Sequence, residues 1–422
     1  MQKLLEFLEN SYTAYNACEY IRKRLVENGF TRLKEQDECE ISENGKYFIE
    51  RGGSSIIAFV IGDLDNFSYK ITASHLDSPA LKIKANPVEQ KGVVATLNTE
   101  TYGGGIWYSF FDRPLKIAGR VIKNESGRIY AQNVESPFLV TIPSLAIHLN
   151  REANEGFAVN KQIDLLPLIG ENLTNEEFIR NICGDNVLSY DLYLACAQDA
   201  YAFGVNNEFL ASPRIDNLTS AYACLQALIS HAESDGICVA ALFNREEIGS
   251  TGAEGASGDF LEYTLRRIAY ALRFDEVEFY KAVASSFFLS VDNAHAKHPN
   301  HPEKADPTNK TVLGGGIVIK SHANGAYATD GFSAAILKNI FDKAGVKHQT
   351  YFNRSDLRSG STLGVCALPR LGMQGADIGL AQLAMHSACE SFAQCDYAEL
   401  TNGLTAFYSS NLLWEDDACI VQ

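Results

Sequence analysis

The sequence has 422 residues, 46% of them apolar and 21% charged, with a formal net charge of -16 at neutral pH. This composition fits a folded chain of two or three domains and excludes a disordered one. The acidic balance repels phosphate backbones and anionic membranes, so neither nucleic acid nor a membrane is an expected partner.

The opening stretch, Met1-Gln-Lys-Leu-Leu-Glu6, carries acid early and lacks the basic flank and apolar run of a secretory leader. No apolar stretch approaches the ~20 residues needed to cross a bilayer. Ten cysteines are spread along the chain without a C-x-x-C pair, which predicts reduced thiols and a cytoplasmic location.

Residues 3–30 read as one helical region, with Leu4, Leu5, Phe7, Leu8, Ile21, Leu25 and Val26 at helical spacing up to Gly29. Residues 54–61 (SSIIAFVI) and 69–74 (YKITAS) read as strands. Residues 88–208 change texture: helical periodicity is weak, 115–121 (LKIAGRV) alternates, and Gly103-Gly-Gly105 and Pro114 punctuate short segments. That predicts an antiparallel β-rich unit. From 209 onward the pattern alternates: helix 217–232, strand 237–243, helix 260–272, strand 287–291, strand 317–319, helix 332–341, a short strand at 351–352 and a final helix 394–413.

The expected fold class is therefore α/β, a mixed, mostly parallel sheet flanked by helices. Residues 1–87 and 209–422 would form one discontinuous domain, with 88–208 inserted as a second, β-rich domain.

Five apolar runs each lead directly to metal-capable residues: 71–74 to His75-Leu-Asp77, 212–215 to Asp216, 242–245 to Glu246-Glu247, 288–291 to Asp292 with His295 and His298 beyond, and 380–385 to His386. In an open α/β sheet, ligands collect outside the carboxyl ends of the strands. Imidazole and carboxylate suit zinc, and a shared carboxylate can bridge two ions. Asp77, two residues beyond His75, can fix the ring's tautomer. Of two adjacent glutamates, one can ligate metal while the other handles a proton. Each piece also has a plainer reading: a structural hydrogen bond for His75-x-Asp77, a solvated face for Glu246-Glu247, a helix cap for Asp216, a turn for Asp292 and a core histidine for His386.

Read together, these segments resemble the aspartyl aminopeptidase family of di-zinc metallo-aminopeptidases. The matching pieces run in order through nearly the whole chain: Ala73-Ser-His75-Leu-Asp77-Ser-Pro79, Tyr102-Gly-Gly-Gly105, Phe111-Asp-Arg-Pro-Leu115, Leu145-Ala-Ile-His148-Leu149, Ser212-Pro-Arg-Ile-Asp216-Asn-Leu218, Glu246-Glu-Ile-Gly-Ser250, Asp292-Asn-Ala-His295-Ala-Lys-His298, Gly360-Ser-Thr-Leu-Gly364 and Met385-His386-Ser387.

The resemblance implies a peptidase that removes an N-terminal residue, acidic by preference, using two zinc ions; the oxygen and nitrogen donors would also accept manganese or cobalt. His75 and Asp292 would bind one ion, Glu247 and His386 the other, and Asp216 would bridge them. Glu246 would be the general base, and Asp77 would orient His75. His295, Lys320 and Tyr327 match positions near the substrate, and His148 matches a histidine that reaches a neighbouring subunit's site. The family also implies a homo-oligomer, dimers built into a dodecamer, with the inserted domain making the dimer contact. Two stretches depart from the family pattern: Ser11-Tyr-Thr13 in place of Ser-Pro-Thr, and Asp356-Leu-Arg-Ser-Gly360 in place of Asp-Met-Pro-Cys-Gly.

Two other readings remain. A di-metal deacylase of N-acyl amino acids would share the metal cradle. A non-catalytic nucleotide-binding or assembly protein would use the glycine-rich 249–258, although that stretch lacks the lysine of a phosphate-binding loop. No G-x-S-x-G elbow marks a serine hydrolase.

Overall fold

The computed structural model describes residues 1–231 and 235–422. Its centre is a nine-stranded sheet built from β1 (Thr31–Leu33), β2 (Lys46–Arg51), β3 (Ser55–Ile61), β4 (Tyr69–His75), β5 (Ile237–Phe243), β6 (Phe287–Val291), β7 (Ile317–Ser321), β8 (His348–Phe352) and β9 (Gln374–Gly379). The strand order is β1-β2-β3-β5-β4-β6-β9-β7-β8. Five of the eight pairings are parallel, including the central run β5-β4-β6-β9.

Both faces of the sheet are covered, so its central strands are buried throughout rather than alternating with polar residues. In β5, Cys238, Ala240 and Leu242 enter the core under helices Gln2–Glu9, Ala14–Glu27, Ile215–Ser230, Gly331–Lys343 and Gln394–Ser409. Ile237, Val239, Ala241 and Phe243 enter the opposite core, under helices Phe260–Ala271, Glu276–Ala284 and Leu363–Leu371. This is the period-two division that a pleated strand imposes.

A six-stranded sheet, antiparallel at every pairing, occupies residues from Ala80 to Cys196. It has its own apolar core around Leu81, Leu97, Ile117 and Leu194, closed by helix Asn175–Cys183. Thr174 and Glu177 form a reciprocal cap at that helix's start. A third, five-stranded sheet joins Tyr201–Phe203, Phe209–Ser212, Glu390–Ala393, Ala381–Leu383 and Ala294–His295.

Several expectations need correction. The helical region 3–30 is two helices, split where Thr13 caps the second through its side chain. The last helix stops at Ser409, because Leu412–Glu415 pairs with Ala418–Val421 as a hairpin. The helix expected over 217–232 spans Ile215–Ser230, and its expected last residue, Ala232, lies outside the described residues. The expectation of unpaired cysteines holds: all ten are free thiols.

Candidate metal centre

Strands β5, β4 and β6 run parallel side by side, with Phe243 opposite His75 and Ser290 opposite Ala73. Their carboxyl ends are therefore level, and His75, Asp292 and the Glu246–Glu247 turn emerge at one rim. The other two sequence candidates arrive differently. Asp216 follows strand Phe209–Ser212 and His386 follows Ala381–Leu383, both in the five-stranded sheet. That sheet is tied to the rim through Ala294–His295, just beyond Asp292.

The five candidate ligands converge. His75 Nε2 lies 3.6 Å from Asp216 Oδ1 and 3.6 Å from Asp292 Oδ1. His386 Nε2 lies 3.4 Å from Asp216 Oδ2 and 3.4 Å from Glu247 Oε1. Asp216 thus presents one oxygen to each imidazole. Glu246 Oε2 is 3.9 Å from His75 Nε2.

These spacings are too long for good hydrogen bonds and suit atoms arranged around a cation. Asp216 Oδ1 and Glu247 Oε1 are buried and accept no hydrogen bond. A buried orphan oxygen costs roughly 1–3 kcal/mol, more when charged, and a bound cation removes that cost. Three overlapping groups among the described residues could hold a metal ion: His75, Asp216 and Asp292; Asp216, Glu247 and His386; and His75, Glu246 and Glu247. The donor set therefore fits zinc.

The electrostatics agree. Burial pushes Glu246 up to about 8, reinforced by Asp292, Asp77 and Asp216 and opposed by His75. Burial likewise raises Glu247 well above the usual carboxylate range. Burial works to lower His386, but Asp216 and Glu247 outweigh it and hold the ring up at about 10. The pocket thus has a surplus of buried negative charge.

The supporting contacts are specific. His75 Nδ1 lies 3.0 Å from the Asp77 carbonyl oxygen, with the Asp77 carboxylate at 3.5 Å. That carboxylate accepts the main-chain N–H groups of Glu246 and Glu247, each at 3.1 Å, and the Tyr102 hydroxyl at 2.8 Å. Asp77 thus ties the His75 strand to the Glu246–Glu247 turn.

The 103–105 glycine turn of the six-stranded sheet passes against the same site. Gly103 has φ +73°, and a Cβ there would lie 3.1 Å from Glu247 Cβ, so a side chain is disfavoured twice over. The Gly104 carbonyl oxygen lies 2.9 Å from His386 Nδ1 and fixes that ring from behind.

Sequence reasoning missed Glu390. Its two oxygens accept the main-chain N–H groups of Asp216 (2.9 Å) and His386 (2.6 Å). The available signal was a glutamate four residues after His386 inside an otherwise small or apolar stretch.

The remaining candidates fall in different places. Lys320 is buried, with Nζ 3.4 Å from Asp292 Oδ2 and 3.2 Å from the Asn293 carbonyl oxygen. Tyr327 is buried beneath it, its ring centre 5.1 Å from that ammonium. His295 is exposed at the edge of an adjoining cleft. His148 is exposed on the 145–149 segment, outside the cluster. The glycine-rich 249–258 folds on itself: a Cβ on Gly255 would meet the Ser250 carbonyl oxygen at 2.1 Å, so close packing accounts for that glycine.

Comparison with known proteins defines the class first: residues 7–408 match the family described as aminopeptidase I zinc metalloprotease (M18). An M18 family aminopeptidase 2 of Clostridium acetobutylicum is 37% identical over 425 residues, covering 97% of this chain and 98% of that protein. A counterpart in Pseudomonas entomophila is 38% identical over 425 residues, covering 97% and 98%. Among solved structures, a chain of the Ape4–Nbr1 complex superposes with TM-score 0.91 at 32% identity, covering 96% of this chain and 85% of that one. A chain of the S. cerevisiae mApe1 dodecamer gives TM-score 0.83 at 25% identity, covering 96% and 95%. The chain belongs to the M18 family of zinc aminopeptidases.

Proposed function

We propose that this chain removes the first residue from peptides with a pair of zinc ions, His75 and Asp292 holding one, Glu247 and His386 the other, and Asp216 bridging them. The observation that carries this reading is the Asp216 carboxylate, with one oxygen 3.6 Å from His75 Nε2 and the other 3.4 Å from His386 Nε2.

When bound, such a metal pair supplies Lewis acidity and makes a water acidic enough to ionise near ~pH 7. Glu246 Oε2, beside both imidazole and carboxylates, takes a proton from the attacking water. The same oxygen passes the proton to the leaving amine. A positioned general base of this kind is worth ~10²–10⁴ in rate. Asp77 acts through others, holding the Glu246 and Glu247 amides and facing His75 Nδ1.

An acidic first residue is the preference the family resemblance supports, with His295, Lys320 and Tyr327 nearest the substrate. The Lys320 ammonium already faces Asp292, which supports a further role in holding that ligand in place. The exposed apolar side chains Leu145, Ile147 and Leu149 around His148 support burial of this segment in an oligomer, and the mApe1 relative is a dodecamer. We take residues 88–208 as the unit that makes the dimer contact, and the cytoplasm as the location, consistent with ten free thiols.

The test is Glu246→Gln. Metal analysis should return two zinc ions per chain, with kcat reduced ~10²–10⁴-fold. Full zinc occupancy with unchanged turnover would remove Glu246 from the base role.

A further inference from the structure

Two of the candidate ligands are followed by the same residue: the chain reads Asp216-Asn217 at one and Asp292-Asn293 at the other. Both asparagines are buried, Asn217 at 0% exposure and Asn293 at 3%. Neither belongs to the set of metal donors. A buried amide keeps its place by hydrogen bonding, so its partners show what it holds.

Asn217 reaches across to two strands. Its Nδ2 donates to the Val291 carbonyl oxygen at 2.9 Å and to Ser74 Oγ at 3.0 Å. Val291 is the residue before Asp292, and Ser74 is the residue before His75. The neighbouring parallel strands β4 and β6 are thus pinned together one residue ahead of their ligands. The pin starts from the residue that follows Asp216.

Asn293 makes the return crossing. Its Nδ2 donates toward the Ile215 carbonyl oxygen at 3.1 Å, with Thr219 Oγ1 at 3.0 Å and Gln382 Oε1 at 2.7 Å sharing its two hydrogens. Ile215 is the residue before Asp216. On its other side, Asn293 Oδ1 accepts from Ser220 Oγ at 2.8 Å and from the Leu380 N–H at 3.3 Å. A main-chain carbonyl only accepts and a main-chain N–H only donates, so these partners fix which way both amides face.

The pattern is reciprocal. Each asparagine reaches the carbonyl oxygen just ahead of the other's aspartate. The ligands so joined, His75, Asp216 and Asp292, are the three assigned to one ion. Glu247 is held by a different group, because its main-chain N–H donates to Asp77.

We propose that Asn217 and Asn293 form a reciprocal brace that sets the spacing of His75, Asp216 and Asp292, and with it the affinity for the ion those three hold. Both are positioning residues, acting through the backbone beside the ligands. The inference rests on the two-ion reading and deepens it by naming what keeps one site in shape. Asp216 and Asp292 each place an oxygen 3.6 Å from the same imidazole nitrogen, and like charges repel until a cation lies between them. A stiff support keeps that repulsion from spreading the ligands before the ion arrives.

The experiment measures zinc affinity by competition with a chromophoric chelator. Asn217→Ala, Asn293→Ala and the double variant are each titrated on a Glu247→Gln background, which leaves the ion on His75, Asp216 and Asp292. The expected result is affinity lowered ~10–100-fold by either single change. The double variant should lose little more than the more damaging single one, because both changes release the same brace. On an Asp292→Asn background, where the remaining ion rests on Glu247 and His386, the same changes should move affinity much less. Two gentler variants keep the test decisive if an alanine variant fails to fold. Ser74→Ala removes one acceptor of Asn217 and Thr219→Val one acceptor of Asn293, and each should weaken the same ion.

Native affinity in the folded variants, gentle ones included, overturns the brace. So does an equal loss at both ions, which marks a general softening of the site, and so do losses that multiply in the double variant, which mark two separate supports. Failure of the two-ion reading shows elsewhere. A native chain that binds a single zinc ion contradicts that reading alone, and the asparagine comparison still decides the brace; a native chain that binds none overturns both.

Discussion

Glu390 holds Asp216 by the backbone, accepting its main-chain N–H at 2.9 Å, and its second oxygen takes the N–H of His386 at 2.6 Å. One buried carboxylate thus sets the spacing of two candidate ligands that lie 170 positions apart in the sequence. Glu390→Gln should keep the shape of the side chain while turning one acceptor into a donor that faces an N–H group. The expected outcome is zinc affinity lowered ~10–100-fold, recovering activity at saturating zinc. A competition titration with a chromophoric chelator reads it, and unchanged affinity would reduce Glu390 to packing.

If Asp216 is shared between two ions, its loss must be felt at both. Asp216→Asn should lower zinc content toward zero per chain. Glu247→Gln should lower it by about one ion, because in the proposed pair Glu247 and His386 hold one ion while His75 and Asp292 keep the other. Elemental analysis after dialysis distinguishes the two, and identical losses from both variants would argue against a bridge.

Removing metal should make stability depend on pH in a defined direction. Glu246 and Glu390 are pushed up to about 8, chiefly by burial. In the unfolded chain they titrate near ~4.3. Between those values the metal-free native state holds more protons than the unfolded state, so the stability they contribute is complete below ~4.3 and is lost as pH rises through about 8. His386, held up at about 10, extends the loss to higher pH. Melting of chelated protein should move to lower temperature from about pH 5 to about pH 8, and zinc should flatten that trend by offsetting the repulsion. Parallel slopes with and without zinc would contradict this account.

Gly103 offers a test through shape alone. Its φ of +73° and its closeness to Glu247 leave no comfortable room for a methyl group. Gly103→Ala should destabilise the protein by ~1–2 kcal/mol and lower kcat by displacing Glu247. Thermal melts with and without zinc separate the backbone cost from the displaced ligand.

The exposed segment around His148 tests assembly. Leu149 is 75% exposed and Ile147, two residues earlier, 48%. Leu149→Asp should shift the mass measured by light scattering toward smaller species and leave the melting of the subunit itself little changed. A mass identical to that of the native protein would remove this segment from the interface.

Much of this is legible in the sequence itself. The strands ending at His75, Phe243 and Val291 announce themselves because a buried parallel strand is a nearly unbroken apolar run, and a charged residue at its end stands out. Strand β9, Gln374–Gly379, escaped notice because two glycines and an aspartate dilute the β signal, although it lies beside β6 in the middle of the sheet. Helix Leu363–Leu371 is hidden by Pro369 inside it. Glu390 could not be weighed because its importance lies in two main-chain amides, and no side-chain pattern reports which backbone a carboxylate will hold. Lys320 is legible as a cation at a strand end, but the sequence gives no hint that it faces Asp292 inward.

The Tyr102 hydroxyl on Asp77 and the Gly104 carbonyl behind His386 come from the antiparallel sheet, not from the sheet that carries most of the ligands. Trimming the chain to a minimal enzyme by excising 80–196 would keep every candidate ligand, yet leave one imidazole without its anchor and one carboxylate without its phenol. The two halves of this molecule are chemically indebted to each other, so neither is expected to work as a spare part.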